Sequence, residues 1–395
     1  MRSKSKKLDT LLAHAGRNPE ANHGVVNPPV YHASTIIHPT VAAMEAAQKN
    51  RYAPNQVTYG RHGTPTTFAL EEAVAAIEGG ARAVALCSGM AACAAALLAY
   101  LGSGDHLLMV DSVYGPVRNF CSGFLKRFGV ETTFYDPMIG AGIAALFRPN
   151  TRIVYLESPG SLTFEVQDVP ALIKAAKAHG ITAMLDNTWA APLFFKPLAL
   201  GVDVSIISAT KYIVGHSDAM MGIAVCTAES FLPVRSAASD FGNHAAPDDC
   251  YLALRGLRTA GVRMRQHQEQ GLALAKFLAG RKEVEKVLHP ALPGHPGHEF
   301  WKRDFTGSSG LFGVILRRGI HKRAVDAMLD GMELFSMGAS WGGFESLILP
   351  THPERLRSAV AWDTGPVLRL HAGLEDLDDL IDDLDRGFAR LNAAS

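Results

Sequence analysis

Lys211 sits where a charge is costly. The run Asp203-Val-Ser-Ile-Ile-Ser208 is largely apolar, Ala-Thr-Lys211 follows it at once, and Tyr-Ile-Val214 comes next. An ammonium group in such company needs a partner or loses its proton. A desolvated lysine that has lost its proton is a nucleophile able to condense with a carbonyl. Ser208 and Thr210 place two hydroxyls beside that amine, a pairing that suits a phosphate. An aldehyde for the amine and a phosphate for the hydroxyls together describe pyridoxal phosphate. A lysine that snorkels out from a strand end fits the same residues, and this stretch alone does not choose between the two.

Other strand ends carry distinctive groups, and ligands of open α/β sheets gather beyond the carboxyl ends of strands. In Leu86-Cys-Ser-Gly-Met-Ala-Ala92 a strand stops and a helix starts, which exposes amides at Gly89 and Met90 to an anion. A tight strand–helix turn without a ligand reads the same way. Asp186 closes the apolar run Thr182-Ala-Met-Leu-Asp186, where a pyridinium nitrogen or a helix cap would each satisfy the carboxylate. Tyr114, in Asp111-Ser-Val-Tyr-Gly-Pro116, is placed either to stack on a ring or to pack. Tyr59-Gly-Arg61 offers a phenol and a guanidinium for an anion. Arg369, in Leu368-Arg-Leu-His371, offers a planar fork for a carboxylate.

The elements that must hold these groups follow from periodicity. Apolar strands are expected at 83–86, 106–111, 132–136, 152–157, 182–186, 203–208 and 222–227, with helices at 90–101, 114–128 and 169–179. Strands alternating with helices predict an α/β architecture with a mostly parallel sheet between helices. Pro19, Pro28, Pro29, Pro39 and Pro54 break residues 1–60 into short pieces, read as an N-terminal arm that packs on something else. Residues 61–256 form the expected α/β domain, and residues 257–395 a smaller C-terminal α+β domain. In the latter a helix is expected from Leu257 toward Ala279, strands near 310–316 and 346–349, and helices at 322–329 and from Leu374. The acidic pattern Glu375–Asp385 predicts a helix with a solvated acidic face.

Composition narrows the class. The 395 residues are 48% hydrophobic and 19% charged, as in an ordinary globular enzyme. Basic and acidic residues number 38 each, so no global field favours nucleic acid or an anionic membrane. No apolar run reaches the roughly 18 residues of a membrane span. The basic opening Met1–Lys7 has no apolar segment behind it, so no secretory signal is expected. Five cysteines with no Cys-x-x-Cys pair predict a reducing, cytoplasmic setting. His289, His295 and His298 lie together in a proline–glycine loop without a carboxylate or thiol at ligand spacing, so no metal is expected.

Taken together these motifs resemble the Cys/Met-metabolism family of pyridoxal-phosphate enzymes, fold type I. The likeness runs from Leu11-Leu-Ala-His-Ala-Gly16 to the terminal acidic helix. It is most specific in Ser208-Ala-Thr-Lys-Tyr-Ile-Val-Gly-His-Ser-Asp-Ala219, Asp186-Asn-Thr-Trp-Ala-Ala191 and Leu370-His-Ala-Gly-Leu-Glu-Asp376. The resemblance implies that Lys211 anchors pyridoxal 5'-phosphate, and that Gly89, Met90, Ser208 and Thr210 bind its phosphate. Tyr59 and Arg61 would reach that phosphate from a neighbouring subunit of a homotetramer. It further implies that Asp186 pairs with the ring nitrogen and Tyr114 stacks on the ring. Arg369 would bind the substrate carboxylate, with Tyr59, Tyr114, Ser340 and Trp341 also lining the substrate site.

Within the family, Glu157-Ser-Pro-Gly-Ser161 and Ser340-Trp341 resemble the β-lyases rather than the members acting at the γ-carbon. The activity implied is β-elimination, with Lys211 and Tyr114 catalytic, cleaving the sulfur amino acid L-cystathionine to homocysteine, pyruvate and ammonia. Residues 237–244 depart from the enteric β-lyase pattern, which leaves the leaving thiol open. A γ-acting relative, an aminotransferase and a non-catalytic cofactor-binding regulator are the competing readings.

Overall fold

The computed structural model describes residues 6–395, and most of the basic opening, residues 1–5, lies outside them. Among the described residues eleven strands form two sheets. The larger holds β1 (Arg82–Leu86), β2 (His106–Val110), β3 (Glu131–Tyr135), β4 (Thr151–Glu157), β5 (Thr182–Asp186), β6 (Val204–Ser208) and β7 (Gly222–Cys226). Their spatial order is β1-β7-β6-β5-β4-β2-β3. Neighbours from β3 to β6 pair in parallel, while β7 runs antiparallel to both β6 and β1. The mostly parallel sheet expected from the alternating pattern is thus present.

Continuous apolar runs belong to strands covered on both faces, and β2 and β7 are buried along their whole length. Alternation splits each strand between two cores. Val84 and Leu86 join the helix Gly89–Leu98 in one core, and Ala83 and Ala85 join the helix Pro65–Glu78 in the other. That second helix was not expected, because its alanines and threonines give weak hydrophobic contrast. Its ends are nonetheless well marked: Thr64 and Thr67 form a capping box, Pro65 opens the first turn, and Gly79 closes it at φ 87°. The helix expected over 114–128 is shorter and divided. Tyr114 is extended at its N-cap, Gly115–Asn119 is α-helical, and a π-helical turn follows over Phe120–Leu125.

The smaller sheet comprises β8 (Val284–Leu288), β9 (Leu311–Leu316), β10 (Leu347–Thr351) and β11 (Val367–His371), all antiparallel in the order β10-β11-β9-β8. One helix joins the two halves. It spans Pro247–Ala279 and so begins ten residues before Leu257, with Pro247, Asp248 and Asp249 in its first turn where the helix dipole favours them. Leu254 and Leu257 pack under the large sheet, and Leu274 and Leu278 under the small one.

The last helix, Leu377–Ala394, buries Leu380, Leu384, Phe388 and Leu391, each worth about 1.5–3 kcal/mol. Its acidic face is not wholly solvated. Asp383 is buried and accepts from the amides of Glu333, Leu334 and Phe335, the last two at 2.8 and 3.1 Å. In the arm, helices Leu8–His14 and Val41–Lys49 interrupt the extended pieces. Leu12 is buried against the rest of the chain, whereas Val25, Val26, Ile37, Val41 and Met44 are exposed.

Candidate active site

β6 and β7 are antiparallel neighbours, so the segment joining them folds back over the carboxyl end of β6, and Lys211 lies in it. The Lys211 Nζ donates to Ser340 Oγ at 2.6 Å and lies 5.3 Å from the centre of the Trp341 ring. Burial, reinforced by the Arg369 charge and opposed by Asp186, pulls the Lys211 pKa down to about 8. This amine gives up its proton far more readily than an ordinary lysine.

Asp186 ends β5 and is paired in register with Glu157 at the end of β4. Asp186 Oδ1 accepts from the Thr188 amide at 2.9 Å. Glu157 accepts from the Tyr114 amide at 2.7 Å and from the Ser161 hydroxyl at 2.5 Å. Burial raises the pKa of both carboxyls, and the nearby Asp186 charge raises Glu157 further. Tyr114 thus stands over two acids, with its phenol pKa raised by burial and lowered in part by Arg369.

Arg369 points from β11 toward the same place. Its Nη2 donates to the carbonyls of Gly338, Ala339 and Ser340 at 3.0–3.2 Å, and burial lowers its pKa to about 10. These bonds leave the rest of the guanidinium fork for a ligand.

The anion-binding corner lies beside Lys211. Ser88 caps the helix Gly89–Leu98 by accepting from the Ala91 amide at 3.1 Å. A Cβ added at Gly89 would stand 2.6 Å from Ser208 Oγ, so the missing side chain leaves a cradle between the helix end and that hydroxyl. Met90 follows in the first turn and is packed against the core. The Thr210 hydroxyl is engaged elsewhere, accepting from the Met221 amide at 2.9 Å and donating to the Met221 carbonyl at 3.2 Å.

Lys211, Asp186, Tyr114, Ser208, Gly89, Ser340, Trp341 and Arg369 therefore converge from both halves of the chain. Tyr59 and Arg61 do not join them. Arg61 donates to the Ser239 carbonyl at 2.5 Å, and Tyr59 is 42% exposed. His289, His295 and His298 bond separate backbone groups, at Ala291, Phe164 and Pro290. Among the described residues no three potential ligands gather for a metal. The sequence reading missed Glu157 as part of this site. Its signal, a carboxylate ending an apolar strand, is the one that marked Asp186.

The donor set fits pyridoxal phosphate. It presents an amine that deprotonates easily, a helix end with a glycine-sized cradle for phosphate, and a buried carboxyl with one oxygen bonded and one available for a ring nitrogen.

Comparison with known proteins agrees with that donor set. A sequence model of Cys/Met metabolism PLP-dependent enzymes matches residues 9–389. The chain is 49% identical over 392 residues to the cystathionine beta-lyase MetC of Escherichia coli K12, covering 98% of this chain and 99% of that one. It is 47% identical over 392 residues to the cystathionine beta-lyase of Salmonella typhimurium LT2, again covering 98% and 99%. Among solved structures, the cystathionine gamma synthase of Xanthomonas oryzae pv. oryzae in complex with aminoacrylate and cysteine superposes with a TM-score of 0.90. Identity there is 32%, over 99% of this chain and 100% of that one.

Proposed function

The chain belongs to the Cys/Met metabolism PLP-dependent enzymes, and from that membership we propose that it is a carbon–sulfur β-lyase. The reaction is L-cystathionine plus water to homocysteine, pyruvate and ammonia. The observation that carries the reading is Lys211, an amine with its pKa lowered to about 8 and held against Ser340 between Asp186 and Arg369. The activity named for the two enterobacterial relatives favours cleavage at the β-carbon, as does Gly160-Ser161 after Ser158-Pro159.

When bound, pyridoxal phosphate supplies an aldehyde for the substrate amine and a ring that takes up the electron pair of the broken Cα–H bond. The chain supplies the rest. Gly89, Met90 and Ser208 hold the phosphate, with Thr210 shaping the corner through its bonds to Met221. Asp186 holds a proton at the ring nitrogen, and Tyr114 covers the ring face. Arg369 grips the α-carboxylate and fixes which bond at Cα faces Lys211. Lys211 Nζ takes the α-proton and returns one to the departing sulfur, with the Tyr114 phenol beside it. Ser340 steers the amine, and Trp341 walls the substrate side. The remaining three-carbon fragment hydrolyses to pyruvate and ammonia.

In the same reading residues 1–60 form an arm against a neighbouring subunit of a homotetramer, and Tyr59 and Arg61 complete the neighbour's phosphate site. Arg61 bonding Ser239 and Tyr59 standing exposed within one chain support this, as do the exposed apolar residues of the arm. Residues 61–256 carry the cofactor, and residues 257–395 close over the substrate with Arg369. The unpaired cysteines suit a reducing cytoplasm. Among the described residues no helix is long and apolar enough to cross a membrane.

The test is incubation of the cofactor-loaded enzyme with L-cystathionine, scoring both oxoacids and free thiol. Pyruvate with homocysteine supports the proposal, and 2-oxobutyrate would replace it with γ-chemistry. A reaction that needs an added 2-oxoacid would indicate an aminotransferase. Bound cofactor without turnover would indicate a regulator.

A further inference from the structure

Behind Lys211 lie three rings that the proposed reaction does not use. Tyr212, His267 and His371 have centroids 5.1–5.9 Å apart, and none is more than 1% exposed. Hydrogen bonds fix both imidazole tautomers. The Gly342 amide, which can only donate, meets His371 Nε2 at 3.1 Å, so that nitrogen carries the lone pair and Nδ1 the proton. In this tautomer the Gly343 carbonyl, 3.2 Å from the same Nε2, receives no hydrogen bond from it. The Ala372 carbonyl can only accept, and it lies 2.9 Å from His267 Nδ1, so His267 keeps its lone pair on Nε2.

His371 Nδ1 and His267 Nε2 are each left buried without a hydrogen-bond partner, and their rings pack together at 5.1 Å. Burial also keeps both rings neutral, pulling His267 down to about 4 and His371 well below the ordinary imidazole range.

Gly342 is where this pair meets the site. Its φ is +86°, and a Cβ there would lie 3.0 Å from the Lys211 carbonyl carbon and 3.1 Å from its Cα. Immediately before it come Ser340, whose hydroxyl receives Lys211 Nζ, and Trp341, whose ring lies beside that nitrogen. The amide that His371 holds therefore ends the short wall against which Lys211 rests.

We propose that His371 is a positioning residue that sets, through the Gly342 amide, where Ser340 and Trp341 stand against Lys211. His267 takes part by packing its neutral ring against that of His371. The inference deepens the lyase reading and rests on it only in treating Lys211 as the working amine.

Two variants separate this role from simple packing. His371→Gln keeps an acceptor near the Nε2 position, and His371→Phe keeps the ring volume without one. Hydrogen exchange is followed by mass spectrometry on the cofactor-free protein, for peptides within residues 338–345. Exchange about tenfold faster in His371→Phe and near parental in His371→Gln is expected, the worth of one lost hydrogen bond. In the loaded enzyme kcat falls by about tenfold or more in His371→Phe, because small displacements at a reacting group are costly. His371→Gln restores most of it. Parental exchange in His371→Phe, or equal impairment of the two folded variants, overturns the inference. If His371→Phe does not fold, His371→Leu, which also lacks an acceptor for the Gly342 amide, takes its place. Faster exchange at 338–345 then supports the inference, and unchanged exchange overturns it. A parent enzyme that makes no pyruvate would overturn the lyase reading while leaving the exchange result intact.

Discussion

Glu157 accepts the Tyr114 amide at 2.7 Å while standing in register beside Asp186, so one buried carboxyl fixes the residue above the site while the neighbouring acid raises that carboxyl's pKa. Glu157→Ala strands that amide without an acceptor, at a cost of about 1–3 kcal/mol. Glu157→Gln offers an amide oxygen in its place with little change of charge, since burial and the Asp186 charge already raise the Glu157 pKa to about 8. The expected outcome is a loss of kcat/KM in Glu157→Ala that Glu157→Gln largely restores. Cofactor retention against pH should match the parent in the glutamine variant, because Glu157 is already largely uncharged at neutral pH and below. Steady-state kinetics check the first outcome, and absorbance of bound cofactor against pH the second.

Gly89 leaves a cradle that a methyl group would fill, 2.6 Å from Ser208 Oγ. Gly89→Ala should weaken pyridoxal phosphate binding by about tenfold to a hundredfold, the worth of a hydrogen bond to a charged group. The cofactor-free protein should also melt lower, since the methyl group would overlap Ser208 Oγ and Cβ at 2.6 and 2.7 Å and force them to shift. Titration of the apoenzyme with the cofactor measures the first, and calorimetry the second.

Lys211 has an ordinary value of 10.5 and a folded value near 8. Between these the unfolded chain still holds a proton that the folded chain has released, so raising pH through that window stabilises the fold. Below about 8 the folded chain bears the cost of a charge held away from water. Lys211→Met removes that cost. The cofactor-free variant should therefore melt above the cofactor-free parent at pH 7, with the gap closing toward pH 10. The same variant should bind no cofactor covalently and turn over no substrate, which borohydride trapping and the pyruvate assay would show. A covalent adduct on Lys211→Met would remove the residue from its proposed role.

The strands were legible because their apolar runs are buried on both faces and bounded by polar ends. The groups at those ends were legible unevenly. Asp111, Glu157 and Asp186 each follow a buried strand, and the pattern is the same in all three. Only tertiary pairing distinguishes them: Asp186 faces Lys211, Glu157 holds Tyr114, and Asp111 binds a segment some 250 residues away. His371 was unreadable for a related reason, since its partner Gly342 lies 29 residues away on a loop without periodicity. The helix Pro65–Glu78 shows the opposite case, with clear caps and a weak hydrophobic pattern.

Asp111 is buried, and its carboxylate accepts from the amides of Ser358, Ala359 and Val360 at 2.9–3.1 Å and from Arg118 at 3.0 Å. This latch ties the loop before Tyr114 to the segment leading into β11 and Arg369. Burial opposes the charge, but the three amides and Arg118 outweigh it and hold the pKa below the ordinary range. A depressed carboxyl contributes stability above its unfolded value and loses it as pH falls through the folded one. Asp111→Asn, which leaves Arg118 buried without its charge partner while Arg357 keeps Glu165 at 2.7 Å, should cost about 3–5 kcal/mol. Tryptic cleavage at Arg355 near neutral pH should accelerate in the variant, and thermal melts of the parent should show the same loss of stability only below the ordinary carboxyl pKa.

Arg369 is held by three carbonyls through a single nitrogen, so its fork is aimed before any ligand arrives. Lysine can reproduce the charge but not the planar fork. If the fork binds the substrate carboxylate in both ground and transition states, its loss appears chiefly in KM. If it also orients Cα toward Lys211, kcat falls as well, because misaligned reacting bonds lose rate even when bound. The short path from Arg369 through Ser340 to the Lys211 amine favours the second outcome. Arg369→Lys should therefore raise KM for L-cystathionine and lower kcat, each by about tenfold or more, the scale of a lost charged hydrogen bond. Cofactor affinity, read by titration of the apoenzyme, should stay near that of the parent. A change in cofactor binding without a change in KM would place Arg369 on the cofactor rather than on the substrate.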